Sequence, residues 1–221
     1  MTNRLLGFFS GFPSYRFPHE VAERLVKKLT QRKNLVFVSA WPTDYEKNDY
    51  ESNGMHSMFE EYNIPFVWHC VIDNRMEASY ATRLINEASC VFLMGGHPGL
   101  QLKLMHDKGL DVAICNTTAT VLGVSAGAIN MAKHSLDTKD SPVPYDGLGL
   151  ADITVKPHFT TDDQQVLSTL LQISMELPIC AMEDDSAIFV MGDHISHTGQ
   201  IHWVSKGEIC PLSQGKPEVQ K

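Results

Sequence analysis

The chain has 221 residues, of which 43% are hydrophobic and 20% charged, proportions that suit an ordinary globular protein and exclude a disordered chain, a collagen-like repeat and a coiled coil. Eighteen Lys and Arg against 26 Asp and Glu give a formal net charge of −8. With no long basic run, that balance argues against nucleic acid as a partner.

The apolar patch at residues 5–9 is cut by Gly7 and runs into Gly11, Pro13 and Arg16, so it lacks the basic, apolar and small-residue order of a signal peptide. Nothing later approaches the roughly 20 apolar residues of a membrane span. Five widely spaced cysteines, without a C-x-x-C pair, read as buried reduced thiols in a cytoplasmic protein. The length suits one domain, residues 1–212, with a polar tail at 213–221.

In chain order, short β-rich runs alternate with helical patterns, the arrangement that builds a parallel sheet covered on both faces. Candidate strands are residues 5–10, 35–40, 65–72, 90–94 and 120–124, near-continuous apolar runs that suit burial on both sides. Between them, residues 19–31 put Val21, Leu25, Val26 and Leu29 on one helical face, and residues 77–88 do the same with Ala78, Ala81, Leu84 and Ile85. Residues 101–107 read as a further helix. Beyond residue 150 the spacing predicts a strand at 152–155, a helix at 162–175 and short strands at 179–182, 187–191, 201–204 and 207–210. These last pieces are expected to extend the sheet in antiparallel fashion.

The stretch from Val121 to Asn130 contains G-x-S-x-G, with Gly123, Ser125 and Gly127, where a β-rich run meets a helix-compatible one. A nucleophile elbow needs this spacing because a side chain at either glycine would collide with the neighbouring strand or helix. The amide of Ala126 is then a natural half of an oxyanion hole. The bland alternative is a plain tight connection. A second glycine loop, Gly95, Gly96 and Gly99, again follows a buried run. It fits neither a Walker A loop nor a dinucleotide fingerprint, and the amide of Gly96 is a candidate for the other half.

Of ten histidines, His158 falls where a strand meets the loop before a helix, on the edge where open parallel sheets bind ligands. Asp140 lies in a polar loop between nucleophile and base and is a candidate to orient the imidazole; Asp137, Glu183, Asp184 and Asp185 compete for that role.

Taken together, Gly96, Ser125, Asp140 and His158 resemble the peptidase E family (dipeptidase E, aspartyl dipeptidase), whose relatives include the cyanophycinases. The resemblance rests on the blocks at residues 92–101, 123–130, around 140 and at 156–159, with strand and helix order covering most of the chain. It implies a flavodoxin-like three-layer α/β/α fold with a mainly parallel central sheet, similar to class I glutamine amidotransferases but with serine in place of their elbow cysteine. It further implies Ser125 as nucleophile, His158 as base, Asp140 as orienting acid with Glu183 as the alternative third member, and Gly96 and Ala126 amides on the oxyanion. No cofactor or metal is expected. Two features depart from the family: Met94 stands where a third glycine is common, with Gly99 added, and residues 160–165 offer no Arg for a substrate carboxylate, which argues against selectivity for N-terminal Asp.

The expected activity is a serine-type peptidase on small peptides, working as a monomer or homodimer. An esterase or amidase using the same groups is the nearest rival, and an inactive binding module is a second. A metal enzyme built on His194, His197 and His202 is weaker, since these fit a polar hairpin around Thr198 and Gly199. Trp41, at a strand end on the ligand edge, is a possible pocket residue.

Overall fold

The computed structural model describes residues 4–137 and 142–212. Its elements run β1 (Leu5–Phe9), α1 (His19–Lys28), β2 (Asn34–Ala40), α2 (Tyr45–Glu61), β3 (Trp68–Ile72), α3 (Ala78–Glu87), β4 (Cys90–Gly96), α4 (Pro98–Asp107), α5 (Leu110–Asn116), β5 (Thr120–Val124) and α6 (Ala126–Met131). The remaining elements are β6 (His134–Ser135), β7 (Tyr145–Asp146), β8 (Val155–Lys156), α7 (Gln164–Ile173), β9 (Ile179–Met182), β10 (Ala187–Met191), β11 (His194–Thr198), β12 (Ile201–Ser205) and β13 (Glu208–Pro211).

The central sheet has seven strands in the order β11-β10-β1-β5-β4-β2-β3. β1, β5, β4, β2 and β3 run parallel, and β10 and β11 extend the β1 edge antiparallel. Side chains alternate across a strand, and here the alternation divides the core in two. Phe8, Val36, Val38, Val91, Leu93 and Val121 pack with α3 to α6 on one face, while Phe9, Leu35, Phe37, Phe92 and Leu122 meet α1 and α2 on the other. The fold is therefore a three-layer α/β/α sandwich of flavodoxin-like build. Among the described residues no helix is long and apolar enough to cross a membrane.

The tail departs from expectation. Only β10 and β11 join the main sheet; β9, β12 and β13 pair with β8 in a separate four-stranded sheet, order β13-β12-β9-β8, over a small core of Leu136, Phe159, Leu170, Ile179, Ala181 and Val204. The expected hairpin around Thr198 and Gly199 is instead a crossing between sheets, since β11 pairs with β10 and β12 with β9. Gly199 makes that crossing at φ 70°, where a Cβ would stand 2.7 Å from Ser186 Cα.

The long helix α2 escaped the pattern because its buried residues are Asn48, Ser52, Met58 and Phe59. Polar groups occupy half of its inner stripe, so apolar periodicity does not reveal it. Asn48 is held there by Ser39 Oγ, which donates to its Oδ1, and by donating to Trp41 O and Asp73. The expected set of buried thiols is corrected as well: Cys90 and Cys180 are buried, Cys70 is half-buried, and Cys115 and Cys210 are exposed.

Candidate active site

Residues leaving the carboxyl ends of β1, β2, β4 and β5 converge on one edge of the main sheet. At the end of β5 the chain turns into α6 through Ser125, whose φ of 51° and ψ of −111° are unusual for a residue with a side chain. The turn is tight for a steric reason visible at its two glycines. A Cβ on Gly123 would lie 2.6 Å from both the Gly127 carbonyl carbon and Met131 Sδ, and one on Gly127 would run into the Leu93 carbonyl of β4. Side chains at either place would force α6 away from the sheet. The Ser125 amide donates to Phe9 O at 2.9 Å, fixing the turn to β1.

His158 comes from the second sheet, just beyond β8, and not from a strand of the main parallel sheet. Its Nε2 lies 2.8 Å from Ser125 Oγ and its Nδ1 lies 2.7 Å from Asp184 Oδ1. The neighbouring Phe159 is buried in the small core, and its amide donates to Met182 O at 2.9 Å, so packing of the second sheet aims the imidazole. The His158 and Asp184 side chains remain 41% and 39% exposed, which leaves the chain of three groups accessible to a ligand.

The carboxylate that meets His158 is thus Asp184, one of the competitors in the sequence. Asp140 lies outside the described residues. Glu183 points elsewhere, its Oε1 2.7 Å from His202 Nε2. Next in the chain, Asp185 sits at φ 62°; burial and then the adjacent Asp184 charge raise its pKa above the ordinary value.

On the other side of Ser125 stands the end of β4. Gly96 has φ 138°, and a Cβ there would run into the Trp41 indole nitrogen, while a Cβ on Gly95 would stand 3.6 Å from Ser125 Cβ. Bare backbone at this place lets the strand end lie against both Trp41 and Ser125. A cavity of about 240 Å³ opens over Ser125, His158, Gly96 and Ala126, walled by Trp41 and Lys156 among others. Trp41, read from sequence as a possible pocket residue, lies in this wall with the His97 ring edge-on at 5.9 Å.

Lys156 was not singled out from the sequence. It is only 8% exposed, its ammonium donates to Pro157 O at 2.5 Å, and it brings a cation to a site where the sequence offered no Arg. Gly11 was also missed. A Cβ there would stand 2.5 Å from His158 Cε1 and 2.6 Å from Asp184 Oδ1, so only glycine leaves room for the pair.

A larger cavity, about 670 Å³, lies at the β3 edge beside Asp49, Cys70, Arg75 and Tyr80. It contains none of the three linked groups, and chemistry, not volume, marks the smaller one as the candidate site. The histidines considered for metal do not converge: His194 and His197 belong to β11, whereas His202 on β12 pairs with Glu183. Among the described residues no group of three or more His, Cys, Asp or Glu side chains is placed to hold a metal ion.

A mostly parallel three-layer sandwich, with a serine on a sharp strand-to-helix turn linked through histidine to a carboxylate, defines an α/β protein with the arrangement of a hydrolase. The chain belongs to peptidase family S51, whose model matches residues 10–198. Among solved structures, a peptidase from an acI-B1 Actinobacterium superposes with a TM-score of 0.72 at 16% identity, covering 96% of this chain and 95% of that one. A putative peptidase E protein from Listeria monocytogenes EGD-e gives 0.66 at 17% identity, covering 88% and 98%. At such identities these two likenesses speak to the fold. No curated protein sequence matches the chain.

Proposed function

We propose that the protein is a serine-type peptidase that hydrolyses small peptides through an acyl-enzyme, with Ser125 as nucleophile, His158 as general base and Asp184, in place of Asp140, as the group that orients the imidazole. The observation that carries this reading is the unbroken chain from Ser125 Oγ through His158 to Asp184, at 2.8 and 2.7 Å. Asp184 accepts from Nδ1–H, which leaves Nε2 to accept the serine proton as Oγ attacks the scissile carbonyl. The amides of Gly96 and Ala126 are assigned to the developing oxyanion, and loss of one such donor costs on the order of 10²–10³ in rate. His158 then gives the proton to the departing amine, and water repeats the sequence on the acyl-enzyme. Beyond that water, each step uses protein groups.

The small cavity favours a short substrate. Lys156 supplies a positive charge for the C-terminal carboxylate that every dipeptide carries close to its scissile bond. Fluorophosphonate labelling of wild type, Ser125→Ala and His158→Ala tests the assignment: label on wild type only is expected, and equal labelling of wild type and Ser125→Ala would end it. A panel of dipeptides with acidic, neutral and basic first residues then defines the substrate class. Faster turnover of the same panel's amide-capped forms would remove Lys156 from the carboxylate role.

A further inference from the structure

Three consecutive residues at the end of β1 each bind a different segment of the site. Phe9 O accepts from the Ser125 amide at 2.9 Å and Gly11 O accepts from the Asp185 amide at 2.8 Å. Between them, Ser10 Oγ accepts from the His158 amide at 2.8 Å. The same hydroxyl donates to Met182 O at 3.0 Å and lies 3.4 Å from Asp184 Oδ1. Two of these three ties are made by backbone and are independent of side-chain identity. The tie to His158 depends on one oxygen atom.

We propose that Ser10 is a positioning residue, whose hydroxyl holds the His158 and Asp184 segments in the register that brings imidazole, carboxylate and Ser125 together. The inference rests on the triad reading given above. Ser10 is fully buried, so no water stands ready to replace its oxygen. His158 holds a φ of 54°, a conformation that a residue with a side chain keeps only when its surroundings enforce it. The bond from its amide to Ser10 Oγ is one such restraint, and Phe159, tied through its own amide to the same Met182 that Ser10 binds, is the next. The hydroxyl works in both directions: it accepts from the His158 amide and donates its single proton to Met182 O, with the Asp184 carboxylate as an alternative acceptor. Removing it takes away the acceptor of a half-buried amide at the residue that must meet Ser125 within hydrogen-bond distance. Misplacement of that kind lowers the rate of the chemical step while leaving the binding surface intact.

The test compares wild type, Ser10→Ala and Ser186→Ala. The Ser186 hydroxyl is also buried in this region but donates to Glu183 O, away from His158. Two measurements are made: the saturation kinetics of inactivation by a fluorophosphonate, and the low-field proton NMR signal of the His158 Nδ1–H bound to Asp184. For Ser10→Ala the maximal inactivation rate is expected to fall about 10- to 100-fold, with the half-saturating concentration within about twofold, and the low-field signal to shift or vanish. Ser186→Ala is expected to keep both. An unmoved signal and rate in Ser10→Ala, a loss shared equally by Ser186→Ala, or a change confined to half-saturation overturns the proposal. Failure of the wild type to label at Ser125 would instead overturn the triad reading, and the NMR signal would still report whether Ser10 governs the His158–Asp184 pair.

Discussion

The same substitution, glycine to alanine, is expected to have opposite effects at two positions of this chain. At Gly127 the added Cβ meets the Leu93 carbonyl of β4, with the Leu93 carbonyl carbon at 2.6 Å and Leu93 Cβ at 2.7 Å. Those atoms belong to a central strand hydrogen-bonded on both sides, so they have no flexible end to move aside. Relief requires α6 and β4 to separate, and overpacking of this type costs about 1–3 kcal/mol. At Gly54, inside α2, the added methyl meets nothing within 4 Å, and replacing a mid-helix glycine gains about 0.5–1 kcal/mol. For a chain of this size each kcal/mol moves Tm by about 2–4 °C. Gly127→Ala is therefore expected to melt roughly 2–12 °C lower and Gly54→Ala up to about 4 °C higher. Urea denaturation checks the order. Separation of α6 from β4 also moves the Ala126 amide relative to Gly96, so fluorophosphonate labelling of Gly127→Ala should slow by about 10²-fold. Wild-type stability and labelling in Gly127→Ala would refute the steric account of this turn.

Further expectations concern the groups around it. Ser125→Gly and Ser125→Ala both lose the proposed nucleophile, but only glycine relaxes the φ of 51°; Ser125→Gly should be the more stable by about 1 kcal/mol, and an equal or more stable Ser125→Ala would contradict the strain. Asp184→Asn should lower the labelling rate by about 10⁴-fold by favouring the wrong imidazole tautomer, whereas Glu183→Gln, whose carboxylate serves His202, should stay near wild type; the reverse pattern would reassign the third group. The raised pKa of Asp185 makes its ionised form unfavourable in the fold, so the stability it contributes is present below the ordinary value of 3.8 and lost as pH rises through the higher folded value. Asp185→Asn, which tolerates a left-handed backbone, should accordingly raise Tm at pH 7 and lose that advantage below about pH 3.8, as thermal melts across pH will show.

Local chemistry wrote several features directly into the chain. The five parallel strands are apolar runs bounded by turn residues, and Gly123, Ser125 and Gly127 encode the sharp turn within five residues because the collisions that demand glycine arise from the adjacent strand and helix. Gly96 was legible for a similar reason, as bare backbone at a strand end. The polar inner stripe of α2 was not, since Asn48 and Ser52 hide helical periodicity and the Asn48 partners Ser39 and Asp73 lie outside the helix.

Everything that depends on two distant segments was decided by tertiary structure. Asp140 and Asp184 are the same residue type in similarly polar stretches of sequence, and no spacing rule separates them. Asp184 faces His158 because β8 and β9 pair parallel in a second sheet, which carries both loop ends to the same place. Ser10 and Gly11 reveal nothing as a serine and a glycine after an apolar run; their roles arise only when that run pairs with β5 and β10. The sequence by itself determined the five parallel strands in chain order and the turn that presents Ser125. Which carboxylate, which hydroxyl and which cation surround that serine followed from nonlocal pairing of the two sheets, because hydrogen bonds and packing across 26 to 148 residues of separation leave no local signature.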